Sequence, residues 1–551
     1  MRRILCTLGI VLACVLLLLS SASAEEKQPT VYVSFWFDTE DFILPAADDA
    51  AKRLAEIFTS QGVKATFKIV GEKARVLRDR GRDDVILALS KNDVGYHAEY
   101  HSVHPTPAEY EQQLTWDEGV KAFMRREGRG VEDLKKIFGV VPSCYGQAGG
   151  SWAPQSYAAM RNWGILLYLD ETSHLGLNGE PFWYCGILNA LNLDWRVTRT
   201  GVGGEEELKE GCRRFDDVHA RLLKEGGGLI SIYYHPCEWV HEQFWDGVNF
   251  SRGANPRRED WKLPPQKSPE ETERAFDYFG KYLEYVRTRQ NVQLVTAREI
   301  PALYPDRAYQ RPLMRDELLQ MAKHIQKEVT FLRLNDRAVS AAEILYLLAK
   351  AVTKFGEFPA QLVPTRFFRE GEAGSTGLAI VPPPGAMEGL SPPPIGPFAK
   401  KLDLRFLYGP SSVWTDTVRE GEFPLRDWID ACRDFLEEAE DLGRIPSAMW
   451  LAGKPVSPED FAASLGAMLE RVADPSSPPH IFTFSENAKF PIVEGNFTAG
   501  KYVAEDNPGL WGWVIFPENF RAPKMMELAK LQAWTIKPAI LLQQHTSKGG
   551  N

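Results

Sequence analysis

Between about residues 31 and 301, short apolar runs alternate with segments of helical periodicity. Residues 31–37 (Val-Tyr-Val-Ser-Phe-Trp-Phe) predict a buried strand. Residues 47–61 bring Ala51, Leu54, Ala55, Ile57 and Phe58 to one helical face, with Gly62 as the stop. Residues 63–70, 229–234 and 292–295 read as further strands. Alternation of this kind implies βα units and a parallel sheet, either open or closed into a barrel. Beyond about residue 311 the pattern turns helical, with pairs at 313–329 and 339–352 and at 425–442 and 456–469. Ser340 with Glu343, and Ser457 with Asp460, mark the start of the second helix of each pair as capping boxes. Their separation exceeds the usual solenoid period and reads as duplication of a module, with residues 525–534 starting a degenerate third copy. The triprolines at 382–384 and 392–394 mark a helix-free, Pro-rich insert near 381–397.

The amino terminus has the three parts of a secretory signal peptide: Arg2-Arg3, an apolar run over 4–19, and a small-residue site ending at Ala24. The run is shorter than the ~20 residues needed to span a bilayer. Removal of 1–24 therefore leaves no stable membrane span, and a secreted or periplasmic location is expected. Three segments follow: 1–24 as signal peptide, 25–305 as the α/β domain, and 306–551 as the helical module. Cys144, Cys185, Cys212, Cys237 and Cys432 remain, too few for a disulfide framework. One or two bridges among the first four stay open.

Composition narrows the function. With 64 Lys+Arg against 74 Asp+Glu, the net charge is −10, and no dense basic cluster offers a footprint for nucleic acid. A hydrophobic share of 44% excludes a wholly disordered or polytopic membrane chain. Fifteen Trp and eighteen Tyr permit a carbohydrate ligand.

Candidate chemistry falls at three places. The first strand ends in Asp38-Thr39-Glu40-Asp41, at the edge where α/β folds build their sites. His97, His101 and His104 lie within eight residues; on a helical turn His97 and His101 face one side and can share a cation. Two histidines, a carboxylate and an open position suit a catalytic zinc site. His235 follows the strand at 229–234 and is placed to protonate a leaving group.

Taken in order, the acidic strand end, the segment Ala65-Thr66-Phe67-Lys68-Ile69-Val70-Gly71, the His97/His101 pair and His235 resemble the polysaccharide deacetylase family, the NodB-homology domain of carbohydrate esterase family 4. The resemblance implies a distorted (β/α) barrel over about residues 30–305. It also implies one divalent metal ion, zinc, and removal of N- or O-acetyl groups from sugars. Asp38 corresponds to the general base, His235 to the general acid, and Asp41, His97 and His101 to the metal ligands. Because the family usually has fewer residues between the two acids, Glu40 is the alternative to Asp41. His104 falls outside the pattern, as a supporting or substrate-facing residue. Where the family often carries an Arg-x-Pro segment to orient the base, this chain has residues 145–152, in which Gln147 brings no charge. Either chemistry or activity is expected to have drifted. Asp170 is a candidate for a further supporting motif. Gln147 and Trp152 are the substrate-binding candidates, with Trp239 beside them. In the helical part, Asp430-Ala431-Cys432, Gly443-Arg444-Ile445-Pro446 and Val456-Ser457 are similar to pseudomurein-binding repeats. That similarity implies cell-wall polymer binding; the preferred reading is a helical domain that packs on the barrel.

The expectation is an exported, metal-dependent carbohydrate deacetylase acting on a polysaccharide or cell-wall glycan. The alternatives are a non-catalytic glycan-binding protein that keeps the fold, and a metal-dependent hydrolase of another bond.

Overall fold

In the computed structural model, which describes residues 29–201, 203–310, 313–355, 404–418, 421–473, 487–489 and 498–542, strand β1 (Val31–Thr39) is buried along its whole length. The expected signal segment and Pro-rich insert lie outside these residues. β2 (Thr66–Ile69), β7 (Gly228–Tyr234) and β8 (Val292–Leu294) all pair with β1 in parallel, and β3 (Asp93–Tyr96) pairs in parallel with β2. A second set holds β4 (Leu167–Asp170), β5 (Phe182–Tyr184) and β6 (Ile187–Leu191), with β4 and β6 parallel and β5 and β6 antiparallel. Tyr145 bridges the two sets, pairing with Tyr96 and with Tyr168. The parallel α/β reading of the first half stands, with β1 and β7 slightly longer and β2 and β8 shorter than the apolar runs suggest.

Side-chain parity along β1 decides what faces where, because successive strand residues point to opposite faces. Phe35 and Phe37 pack under helices Ala46–Ser60 and Pro269–Arg287, with ring centroids 5.4 Å (Phe35–Phe58) and 5.9 Å (Phe37–Phe279) apart. Trp36, of the opposite parity, stacks on Tyr233 at 4.8 Å and carries the Lys68 ammonium 4.1 Å over its ring. The carboxyl ends of β1, β2 and β3 align at one edge, since Thr39 pairs with Ile69 and Ile69 with Tyr96.

Helices Arg315–Ile325, Ala341–Phe355, Leu425–Leu442 and Pro458–Ala473 share a separate core that includes Ile344, Leu348, Trp428, Phe461 and Leu465. Both anticipated capping contacts form, Glu343 N donating to Ser340 Oγ (3.3 Å) and Asp460 N to Ser457 Oγ (3.1 Å). The chain then returns to the core around β1. Ala499, Trp511, Phe516, Met525 and Ala533 join the core around β1, and Lys537–Pro538 pairs antiparallel with β5. The helix Pro523–Gln532 packs its buried Met525, Met526 and Ala529 on the α/β half and not in the core of the two helix pairs.

Cys144, Cys185, Cys212, Cys237 and Cys432, the cysteines among the described residues, are all free, so none of the bridges left open by the sequence forms among them. Among the described residues, no helix is long and apolar enough to cross a membrane.

Candidate functional site

Asp38 and Lys68 are partners in the β1–β2 register. The Lys68 ammonium lies 2.8 Å from Asp38 Oδ1 and 2.7 Å from Asp170 Oδ2, and donates to the Leu169 carbonyl at 2.8 Å. Lys68 has no exposed side-chain surface. Burial alone would lower its pKa, but Asp170 and Asp38 outweigh burial and raise it, so the group is an ammonium. A glycine at 146 is required here: a Cβ at that position would come within 2.1 Å of Lys68 Nζ and 2.3 Å of Asp170 Oδ2.

Glu40 shares the parity of Asp38, and its carboxylate reaches the histidines. Its Oε2 lies 2.8 Å from His101 Nε2 and 3.3 Å from His97 Nε2, while Oε1 accepts a hydrogen bond from Trp245 Nε1 at 3.0 Å. The His97 Nδ1 proton goes to the Gly146 carbonyl (3.1 Å), and His101 Nδ1 shares a hydrogen bond with Ser102 Oγ (2.7 Å). Apart from Glu40, both buried Nε2 atoms have no hydrogen-bond partner. Two imidazole nitrogens and one carboxylate oxygen, all within 4.8 Å of one another, form a donor set that fits a divalent cation. Burial works against charge on Glu40, yet His101 and His235 hold its pKa well below the usual carboxylate range.

The histidines sit on an irregular loop after β3, not on a helical turn. Ala98 and His101 take positive φ (61° and 53°), which turns both rings inward, with centroids 5.0 Å apart. Glu127, from helix Trp116–Phe138, braces this loop from behind by accepting from Glu99 N and from the Tyr96 hydroxyl, each at 2.8 Å.

His235 closes the opposite side. Its Nδ1 donates to Glu238 Oε1 at 2.6 Å, and its Nε2 lies 3.7 Å from Asp38 Oδ2. Burial would discharge the ring, but Glu40, Glu238 and Asp38 raise its pKa to about 9. At 20% side-chain exposure against 2% for His97 and His101, His235 stands where the site opens.

Asp41 does not join the histidines. Opposite in parity to Asp38 and Glu40, it turns away, and its Oδ1 accepts the backbone N–H groups of Ile43 (2.9 Å) and Leu44 (3.0 Å) ahead of helix Ala46–Ser60. Burial raises its pKa to about 6 despite Lys73. Gln147 is buried, its amide donating to the Gly149 carbonyl at 3.0 Å. Trp152 and Trp239 have no exposed surface and belong to the core, so neither offers a platform to a ligand. His104 is spent on Glu109, at 2.8 Å. Asp170, anticipated as a supporting residue, is the second anchor of Lys68.

The residues that the sequence reading passed over are Lys68 as a charged partner, Trp245, Asp246 and Trp513. For Lys68 a signal existed: a lysine inside an apolar strand end is rarely buried without a paired carboxylate.

No protein-family model matches the chain, and no curated protein matches it. Solved structures do. A Mycobacterium smegmatis protein assigned as a polysaccharide deacetylase is 14% identical, covering 51% of this chain and 91% of its own, with a TM-score of 0.32. The allantoinase PuuE is 14% identical (51% and 93%, TM-score 0.33), and the Bacillus subtilis peptidoglycan deacetylase PdaC is also 14% identical (52% and 95%, TM-score 0.26). The solved structures that this chain resembles over about half its length are thus mainly polysaccharide deacetylases, with an allantoinase among them.

Proposed function

We propose that the protein is an exported, metal-dependent hydrolase that releases acetate from an acetylated glycan, built on a NodB-type barrel with a helical module after about residue 305. The observation that carries this reading is the meeting of three different groups at one strand edge. These are the Glu40/His97/His101 donor set, the Lys68-paired Asp38, and His235.

Glu40, His97 and His101 would hold the cation. When bound, a divalent ion there supplies Lewis acidity and positive charge for an acyl carbonyl. Asp38 accepts the proton of the attacking water. Lys68, itself held by Asp170, fixes the direction of that carboxylate and supplies from β2 the cation that Gln147 lacks. His235, oriented by Glu238, gives a proton to the departing amine or alcohol. The burial of Asp38, His97 and His101 excludes bulk water and strengthens each charge interaction.

The non-catalytic alternative draws its support from Gln147. A charged partner for Asp38 is nevertheless present in Lys68, which favours the enzyme. The test is acetate release from a panel of acetylated glycans by the zinc-loaded protein and its Asp38→Asn variant. The reading expects release by the wild type and a loss of about a hundredfold or more in the variant, with metal retained. Metal binding without release from any glycan would contradict it.

A further inference from the structure

The segment that lies against the candidate site comes from the far end of the chain. Residues 508–520 lie more than two hundred positions after β8, yet Val514 and Ile515 accept backbone hydrogen bonds from Arg252 N (2.9 Å) and Gly253 N (2.7 Å). Trp511, Ile515 and Phe516 are buried in the first core and anchor the segment on either side of Trp513. Trp513 reaches the site itself. Its ring centroid is 5.2 Å from that of His101, edge-on at 86°, and its Nε1 donates to Asp246 Oδ2 at 2.9 Å. One face of the indole rests on the backbone of Gly149, where a Cβ would come within 2.2 Å of the ring. Gly149 has φ +50°, a second reason for glycine there.

Partial exposure distinguishes this indole from the others near the site, and two further features suit it to a ligand. Trp152, Trp239 and Trp245 have no exposed surface, whereas Trp513 is only partly buried. Its orientation is fixed by Asp246 on the ring nitrogen and by Gly149 beneath, so little side-chain freedom remains to be lost on binding. It also adjoins an imidazole of the donor set, with its ring centroid 5.2 Å from that of His101. A rigid, amphipathic, partly exposed ring beside charged groups is suited to the apolar face of a pyranose.

We propose that Trp513 is a substrate-binding residue: the exposed part of its indole takes the sugar ring at or next to the acetylated position, so the carboxyl-terminal segment completes the substrate subsite. The proposal deepens the deacetylase reading and rests on it for the class of ligand.

The test compares wild type, Trp513→Ala and Trp513→Phe as full-length, zinc-loaded proteins. Kinetics are measured on N-acetylchitohexaose, acetylated xylan and muropeptides, and on the small ester 4-nitrophenyl acetate. Binding of the same glycans is measured by calorimetry. On the glycan that is turned over, Trp513→Ala is expected to raise KM by about tenfold or more, with a smaller fall in kcat, and Trp513→Phe to recover most of the loss. The loss on the glycan is expected to exceed that on the small ester by a similar factor. Equal losses on both substrates, or an unchanged KM for the glycan, would overturn the proposal. If the wild type binds a glycan but releases no acetate, the deacetylase reading falls, and weaker binding by Trp513→Ala still supports the subsite. Absence of glycan binding by the wild type would overturn the subsite as well.

Discussion

The Lys68 ammonium stands 2.8 Å from the Asp38 carboxylate, one strand over in register, with Asp170 on its other side. Replacing it by Met leaves two buried carboxylates beside each other with no cation. Breaking a buried pair in this way costs about 3–5 kcal/mol. Lys68→Met is therefore expected to lower the Tm sharply and to reduce kcat, while Lys68→Met/Asp170→Asn recovers part of the stability and little of the activity. Thermal unfolding and acetate release on both variants check this.

Gly146 guards the same cation from the side. In Gly146→Ala the methyl group would occupy the space of Lys68 Nζ and Asp170 Oδ2, so the ammonium must leave one of its partners. We expect a loss of about tenfold or more in kcat/KM with metal content preserved. An unchanged pH–rate profile and rate in a folded Gly146→Ala protein would argue against a role for the Lys68 geometry.

Adjacent acids at 40 and 41 have separate duties. Glu40→Gln is expected to weaken zinc binding by about a hundredfold or more, because it removes the only carboxylate of the donor set. Asp41→Asn is expected to bind zinc nearly as the wild type does and to lose about 1 kcal/mol of stability from its hydrogen bonds to Ile43 N and Leu44 N. Zinc titration by calorimetry with both variants decides which carboxylate is the ligand.

A pH dependence arises behind the histidine loop. Burial raises the Glu127 pKa from 4.5 to about 7, opposed by hydrogen bonds from Tyr96 and Glu99 N. A carboxyl whose pKa is higher in the folded state binds its proton more tightly there. Its contribution is complete below the unfolded value of 4.5 and is lost as the pH rises to about 7. The Tm is expected to fall over that window in the wild type and to fall less in Glu127→Gln.

Much of this was legible in the sequence, and the remainder was hidden for identifiable reasons. The strand at 31–37 follows from an apolar run buried on both faces, and the helices at 47–61 and 425–442 from periodicity, since burial of one face leaves a repeat that sequence displays. Asp38, His97, His101 and His235 converge as anticipated because each ends or follows a parallel strand. The choice between Glu40 and Asp41 was also within reach: period-two alternation puts Glu40, and not Asp41, on the face of Asp38. Trp513 was not within reach. Nothing local to residues 508–520 says that they fold back across most of the chain onto His101, and contacts of that separation leave no periodic trace. The helical-turn reading of His97 and His101 failed where positive φ values at Ala98 and His101 replaced a regular element.

The most direct test of the account is a zinc titration of the metal-stripped protein, with bound metal and acetate release from an acetylated glycan measured in the same samples. The account predicts that release rises in proportion to bound zinc, saturates near one ion per chain, and is lost together with tight zinc binding in His97→Ala/His101→Ala. Acetate release of equal rate from the metal-free protein or from the double variant would contradict it.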